Sequence, residues 1–167
     1  MSTTNRSEPK FVSASDGESV WLSGDVYTVK LDKSTTNGRI SFLDSSIPPG
    51  SGAPSHLHTD ADEIIYVVSG QVNVMLNGEE KIAREGDTIF IPRHTEHGFK
   101  NVGLYAARLL FYFNPSGVER FFLEAGVKAK PGTAPLEYTP ELHDHAVSVG
   151  KKYHLQPALN TTNAIGK

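Results

Sequence analysis

The chain has 167 residues, 38% hydrophobic and 21% charged, a balance that fits one globular domain and not a disordered chain. Lys+Arg is 16 and Asp+Glu is 19, a formal net charge of −3, which argues against an electrostatic grip on nucleic acid or on an anionic membrane. There is no cysteine, so disulfides, thiolate nucleophiles, iron–sulfur clusters and Cys-ligated zinc are excluded, and the seven histidines remain as ligands.

The start, from Met1 to Pro9, lacks the apolar core of a signal peptide, and residues 1–15 read as a loose polar segment of a cytoplasmic protein. Ser19–Lys30 is rich in β-branched and aromatic residues and predicts one strand, or two broken at Gly24. Thr35–Gly38 is a turn signal, Arg39–Ile47 a strand, and Pro48–Pro54 a loop without regular structure. Strands are expected at Glu63–Val68, Gln71–Leu76, Glu79–Ala83, Asp87–Ile91, His97–Lys100 and Leu104–Phe113. Asn77-Gly78 tolerates positive φ at both positions and predicts a two-residue hairpin turn. Val102–Phe113 is the longest apolar stretch, but it contains Arg108 and is too short to span a bilayer. Ser116 to Glu119 has capping-box spacing and opens a short helix with an apolar face of Val118, Phe121, Phe122 and Ala125, ended by Gly126 in a left-handed conformation. Residues 16–126 therefore read as one all-β domain with a trailing helix, and 127–167 as a partly irregular extension whose end, from Gly150, looks like a tail.

The chemistry concentrates in two blocks. The first is Gly50, His56, His58, Glu63 and Gly70; the second is Gly86, Pro92, His97 and Asn101. On a strand, residues i and i+2 point to one face, so His56 and His58 present two imidazoles side by side. Glu63 opens the next strand and His97 a later one. Three imidazoles and one carboxylate suit a single divalent first-row metal and leave coordination positions open; iron, manganese, nickel, cobalt, copper and zinc are all admitted. His143 and His145 form another His-x-His pair, but no Gly frame and no downstream acid-plus-His block accompany it.

These two blocks resemble the two sequence motifs of the cupin superfamily. The first matches at every position. The second departs at one, where His94 stands in place of the usual Gly, and it is read as a turn residue tolerating a Gly-like conformation. The resemblance implies a double-stranded β-helix, a small antiparallel β-barrel or jelly roll, with His56, His58, Glu63 and His97 binding a metal inside. The phrases Gly17–Lys30, Pro48–His58, Asp62–Gly70 and Pro115–Phe122 are further similar to bacterial quercetin 2,3-dioxygenase-like single-domain cupins. That similarity implies O2-dependent ring cleavage of a flavonol or related aromatic enol, with Glu63 both ligating the metal and accepting the substrate's hydroxyl proton. A non-oxidative cyclase or isomerase using the metal as Lewis acid, and a non-catalytic small-molecule-binding cupin, are the competing readings. Strand parity turns Ile65 and Val67 inward with Glu63, and Phe99 and Asn101 inward with His97; with Phe42, Leu109, Phe111 and Phe113 they are the candidate substrate lining. Tyr66 falls on the opposite parity. The strand near Trp21 is expected to pair with a partner subunit, giving a homodimer.

Overall fold

The protein is described by a computed structural model over residues 8–158. The first seven residues of the expected loose segment, and 159–167 of the expected tail, lie outside the described residues. The rest of the N-terminal segment is partly tied down: the Lys30 ammonium donates to the carbonyls of Ser13 and Ala14, at 3.3 and 2.7 Å, and also to that of Asp16.

In chain order the elements are β1 (Glu18–Leu22), β2 (Asp25–Leu31), β3 (Ser41–Ile47), β4 (Gly52–His58), β5 (Asp62–Ser69), β6 (Gln71–Leu76), β7 (Glu79–Arg84), β8 (Thr88–Ile91), β9 (His97–Asn101) and β10 (Ala107–Asn114). Then come α1 (Glu119–Ala125), β11 (Val127–Lys128), α2 (Pro140–Lys152) and β12 (Leu155–Pro157). They form a seven-stranded sheet, β11-β1-β2-β3-β10-β5-β8, and a five-stranded sheet, β12-β4-β9-β6-β7. The pairings between these strands are antiparallel, as expected for a double-stranded β-helix, but the two ladders do not close into a continuous hydrogen-bonded barrel.

Alternation puts the core between the sheets. β10 reads buried at Ala107, Leu109, Phe111 and Phe113 and open at the residues between, and β5 is buried at Glu63, Ile65 and Val67. Phe111 joins the layers, with ring centroids 5.6 Å from Phe99 and 5.9 Å from Tyr27. Each such buried aromatic or aliphatic side chain contributes about 1.5–3 kcal/mol. Among the described residues no helix is long and apolar enough to cross a membrane.

Several local expectations are corrected. Gly52, Ala53 and Pro54, expected to be loop, begin strand β4. The pairing with β9 shifts register between Ala53 and His56, and Pro54 falls in that irregularity, where its missing N–H is tolerated. Gly52 has φ 151°, and a Cβ there would stand 2.1 Å from the Phe99 carbonyl oxygen, so only glycine lets β4 lie this close to β9. Leu104, Tyr105 and Ala106 precede β10 rather than opening it. The helix starts at Glu119 with Val118 as N-cap, and Ser116 makes no cap. Glu119 instead accepts from the Gly117 and Lys33 N–H groups, at 2.6 and 3.0 Å. Gly126 is extended, not left-handed; there a Cβ would collide with Val20, 2.8 Å away. The strand containing Trp21 pairs within the chain, with β2 on one side and β11 on the other.

The largest difference lies after Lys128. Thr139 caps a 13-residue helix, α2, with Pro140 in its first turn, and β12 then pairs with β4. Of the stretch from Gly150 that reads as a tail in the sequence, Gly150 to Lys152 end α2 and Leu155–Pro157 form β12 of the five-stranded sheet.

Candidate metal centre

β4 carries His56 and His58, and β9 opens on His97, which stands opposite His56 in the ladder. Glu63 comes from β5 in the other sheet. A turn joins the two: the Arg93 guanidinium grips Asp62 through two 3.0 Å hydrogen bonds, and the Arg93 N–H adds a third at 3.0 Å. Those bonds hold the Asp62 carboxyl down at about 2, and they pin the start of β5 beside the segment leading to His97. His94 lies in that segment with φ 66°, the Gly-like conformation expected of it, and its N–H donates to the His58 carbonyl at 2.7 Å.

The result is compact. One donor atom from each of His56, His58, Glu63 and His97 falls in a group whose members all lie within 4.8 Å of one another. Glu63 Oε2 is 3.1 Å from His58 Nε2 and 3.0 Å from His97 Nε2. The His56 and His97 rings approach to 4.3 Å between centroids. His58, Glu63 and His97 are buried, while His56 is half-buried and gives the cluster its side toward solvent.

This donor set fits a divalent metal. His56 Nδ1 lies 2.8 Å from the Pro54 carbonyl and His97 Nδ1 lies 2.9 Å from that of Thr95, so each Nδ1 is the protonated donor and Nε2 is left to face the cluster. This is how ligating imidazoles are oriented by their surroundings. Metal–nitrogen and metal–oxygen bonds of about 2.0–2.2 Å place opposed donors about 4 Å apart, close to the span of this group.

Packing three imidazoles together shapes their protonation. Burial, reinforced by the neighbouring His97 and His58, pushes His56 down to about 3, so it is neutral at pH 7. Burial acts to raise Glu63, but hydrogen bonds from His58 and His97 outweigh it and hold the carboxyl well below its ordinary range. Burial acts to lower His97, but its bond to Glu63 wins, and the imidazole is raised. The cluster therefore offers an ionised carboxylate and a neutral His56.

Of the expected lining residues, Ile65, Val67, Phe99, Asn101, Leu109, Phe111 and Phe113 are buried between the sheets. Phe113 lies 5.4 Å from the His58 ring. Two expectations change. Phe42 is half-buried and sits between buried Ser41 and Leu43, so the pleat turns it to the outer face of β3. Asn101 staples a loop: its amide donates to the Ile47 and Tyr105 carbonyls at 2.7 and 2.9 Å, and its oxygen accepts from the Gly103 N–H. Tyr66 is 41% exposed, as its parity requires. His143 and His145 lie on α2, where i and i+2 diverge; His143 meets the Tyr138 ring edge-on and His145 faces the Glu124 carbonyl. Sequence reasoning missed Leu155, which stands opposite His58, because a three-residue strand carries no periodic signal.

Residues 44–113 match the family model described as the cupin domain. Polyketide synthase CurC of Streptomyces cyaneus is 34% identical over 93 residues, 55% of this chain and 60% of that protein. Protein SchB of Streptomyces halstedii is 31% identical over 93 residues, 55% of this chain and 67% of its own length. Quercetin 2,3-dioxygenase of Bacillus subtilis is 26% identical over 118 residues, 71% of this chain but 35% of that protein. Among solved structures, KdgF from Halomonas sp. superposes with a TM-score of 0.61 at 21% identity, covering 68% of this chain and 99% of that one, a likeness of fold.

Proposed function

The chain belongs to the cupin family, and from that premise we propose that it holds one divalent transition metal through His56, His58, Glu63 and His97 and acts as an O2-dependent dioxygenase on a small aromatic enol. The observation that carries this reading is the convergence of three imidazoles and one carboxylate beside the buried apolar side chains between the sheets. When bound, the metal supplies Lewis acidity toward an enol oxygen and a meeting point for substrate and O2.

Glu63 is the proton acceptor. It stays ionised because two imidazoles bond to Oε2, and those same Nε2 atoms are the metal-ligating ones. As they turn to the metal, both imidazoles leave Oε2, but ligation also lowers the basicity of Glu63, so Glu63 would accept the substrate hydroxyl proton with its carboxylate swung off the ion. Phe99, Phe111 and Phe113, with Ile65 and Val67, exclude water from this exchange, and half-buried His56 marks the side from which substrate approaches.

The similarity to quercetin 2,3-dioxygenase supports a flavonol-like substrate. The higher identity to polyketide synthase CurC supports a second reading, non-oxidative cyclisation of an aromatic polyketide at the same four residues. Oxygen consumption by metal-analysed protein given quercetin decides between them. Uptake that bleaches the flavonol band and is lost on chelation supports the dioxygenase; bound metal without uptake refutes the flavonol substrate class and leaves the cyclase and the non-catalytic binding readings. The proposal includes a homodimer, refuted by gel filtration that shows only a monomer-sized species.

A further inference from the structure

β12 forms the outer edge of the five-stranded sheet, directly beside the strand that carries the His-x-His pair. The ladder registers Leu155 with His58, Gln156 with Leu57 and Pro157 with His56. The Thr59 N–H donates to the His154 carbonyl at 3.0 Å and the Ala158 N–H to the Ser55 carbonyl at 3.2 Å. In an antiparallel pair hydrogen-bonded and non-hydrogen-bonded positions alternate, so Leu155/His58 and Pro157/His56 are the non-hydrogen-bonded pairs, whose side chains approach most closely. Pro157 thus stands where its missing N–H costs nothing. Leu155 is buried, and it packs where Gly150 of α2 leaves room: a Cβ on Gly150 would stand 3.5 Å from the Leu155 Cβ. α2 is in turn bound to α1, because the Glu124 carboxylate accepts from Lys152 Nζ at 2.8 Å and from the Tyr153 hydroxyl at 2.5 Å. Each histidine of β4 is therefore flanked in the ladder by a residue of β12, and that edge strand is anchored through two helices.

We propose that β12 is a clamp on the metal-ligating strand: Leu155 and Pro157 are positioning residues that hold His58 and His56 inward, and undocking of β12 sets how fast the metal leaves. Without β12, β4 is a free sheet edge interrupted by the Pro54 irregularity, and its two imidazoles gain freedom to turn outward. This rests on the reading that the four residues hold a metal.

The test uses the full chain loaded with Co2+, with the visible cobalt bands followed as the ion passes to excess chelator. Gln156→Pro removes a ladder N–H at a hydrogen-bonded position, Leu155→Ala removes the cover over His58, and Leu155→Met keeps it. Amide exchange over 52–58 reports whether β4 has become an edge. We expect release to accelerate about tenfold or more in the first two variants, the scale of losing a support behind a ligand. We also expect a changed cobalt band shape in Leu155→Ala that Leu155→Met restores, which a loss of global stability alone would not produce. Unchanged release in both variants, with normal uptake, overturns the clamp alone. A wild-type chain that takes up no Co2+ overturns the metal reading and the clamp with it.

Discussion

Asp25 offers a quantitative check on the interior, independent of any metal. It opens β2, is 0% exposed, accepts from the Tyr27 hydroxyl at 3.0 Å, and has no partner for Oδ1. Burial pushes its carboxyl up to about 6 from the ordinary 3.8, against the opposing hydrogen bond from Tyr27. Below pH 3.8 folded and unfolded chains both hold the proton, and the contribution is intact. Between 3.8 and 6 only the unfolded chain has ionised, and stability falls as pH rises; above 6 the loss is complete. At 1.36 kcal/mol per pH unit, that interval corresponds to about 3 kcal/mol. Asp25→Asn keeps an acceptor for Tyr27 and removes the titration. Urea unfolding of chelator-treated protein at a series of pH values between about 4 and 7 should therefore show the wild type losing about 3 kcal/mol more than the variant. The groups common to both proteins cancel in that difference. Parallel stability curves would refute the claim that this carboxyl is buried without adequate solvation.

The same geometry sets four other outcomes. His56→Ala, His58→Ala and His97→Ala should each lower bound metal, measured by elemental analysis, and abolish turnover; Glu63→Gln should keep part of the metal yet lose turnover, and full activity there would remove Glu63 as the base. Because the bond to Glu63 outweighs burial and raises His97, metal uptake near neutral pH should release a proton, read as a heat of binding that varies with the buffer's ionisation enthalpy. Phe111→Ala opens a cavity between the sheets and should cost about 3–5 kcal/mol in urea unfolding. Gly52→Ala drives a Cβ against the Phe99 carbonyl at positive φ; it should cost more than about 1 kcal/mol and lower metal content by parting β4 from β9.

The features legible in the amino-acid order are local or repeat with the pleat. Asn77-Gly78 makes its hairpin because both residues tolerate positive φ, and the Gln71–Leu76 strand has the bounds its pattern predicts. The inward sets of β5, β9 and β10 follow from a period of two once one member is known to face the core. The four cluster residues were legible for the same reason, since His-x-His shares a face of a strand and the acid and the third His sit at strand starts. The helix opened by Thr139 and Pro140 was not read from the sequence, because the stretch after Lys128 is broken by Pro and Gly.

Other features were set by contacts between distant segments. Ser116 has capping spacing, yet Glu119 is claimed by the Lys33 N–H, 86 positions away, and the cap does not form. Phe42 has the composition of a lining residue, yet the register of β3 between β2 and β10 turns it outward. Gly126 is suited to a left-handed helix end, yet Val20 presses on it and the backbone runs on extended. The donors Glu63 and His97 meet at 3.0 Å because the Asp62–Arg93 pair draws a strand of one sheet to a turn of the other. Residue order alone therefore determined which side chains can serve as ligands and which face of a strand each occupies, because chirality and pleat act over a few residues. Only the tertiary structure decided which faces meet, how close the donors come, and that Leu155 stands behind His58, because those depend on the register between strands far apart in the chain.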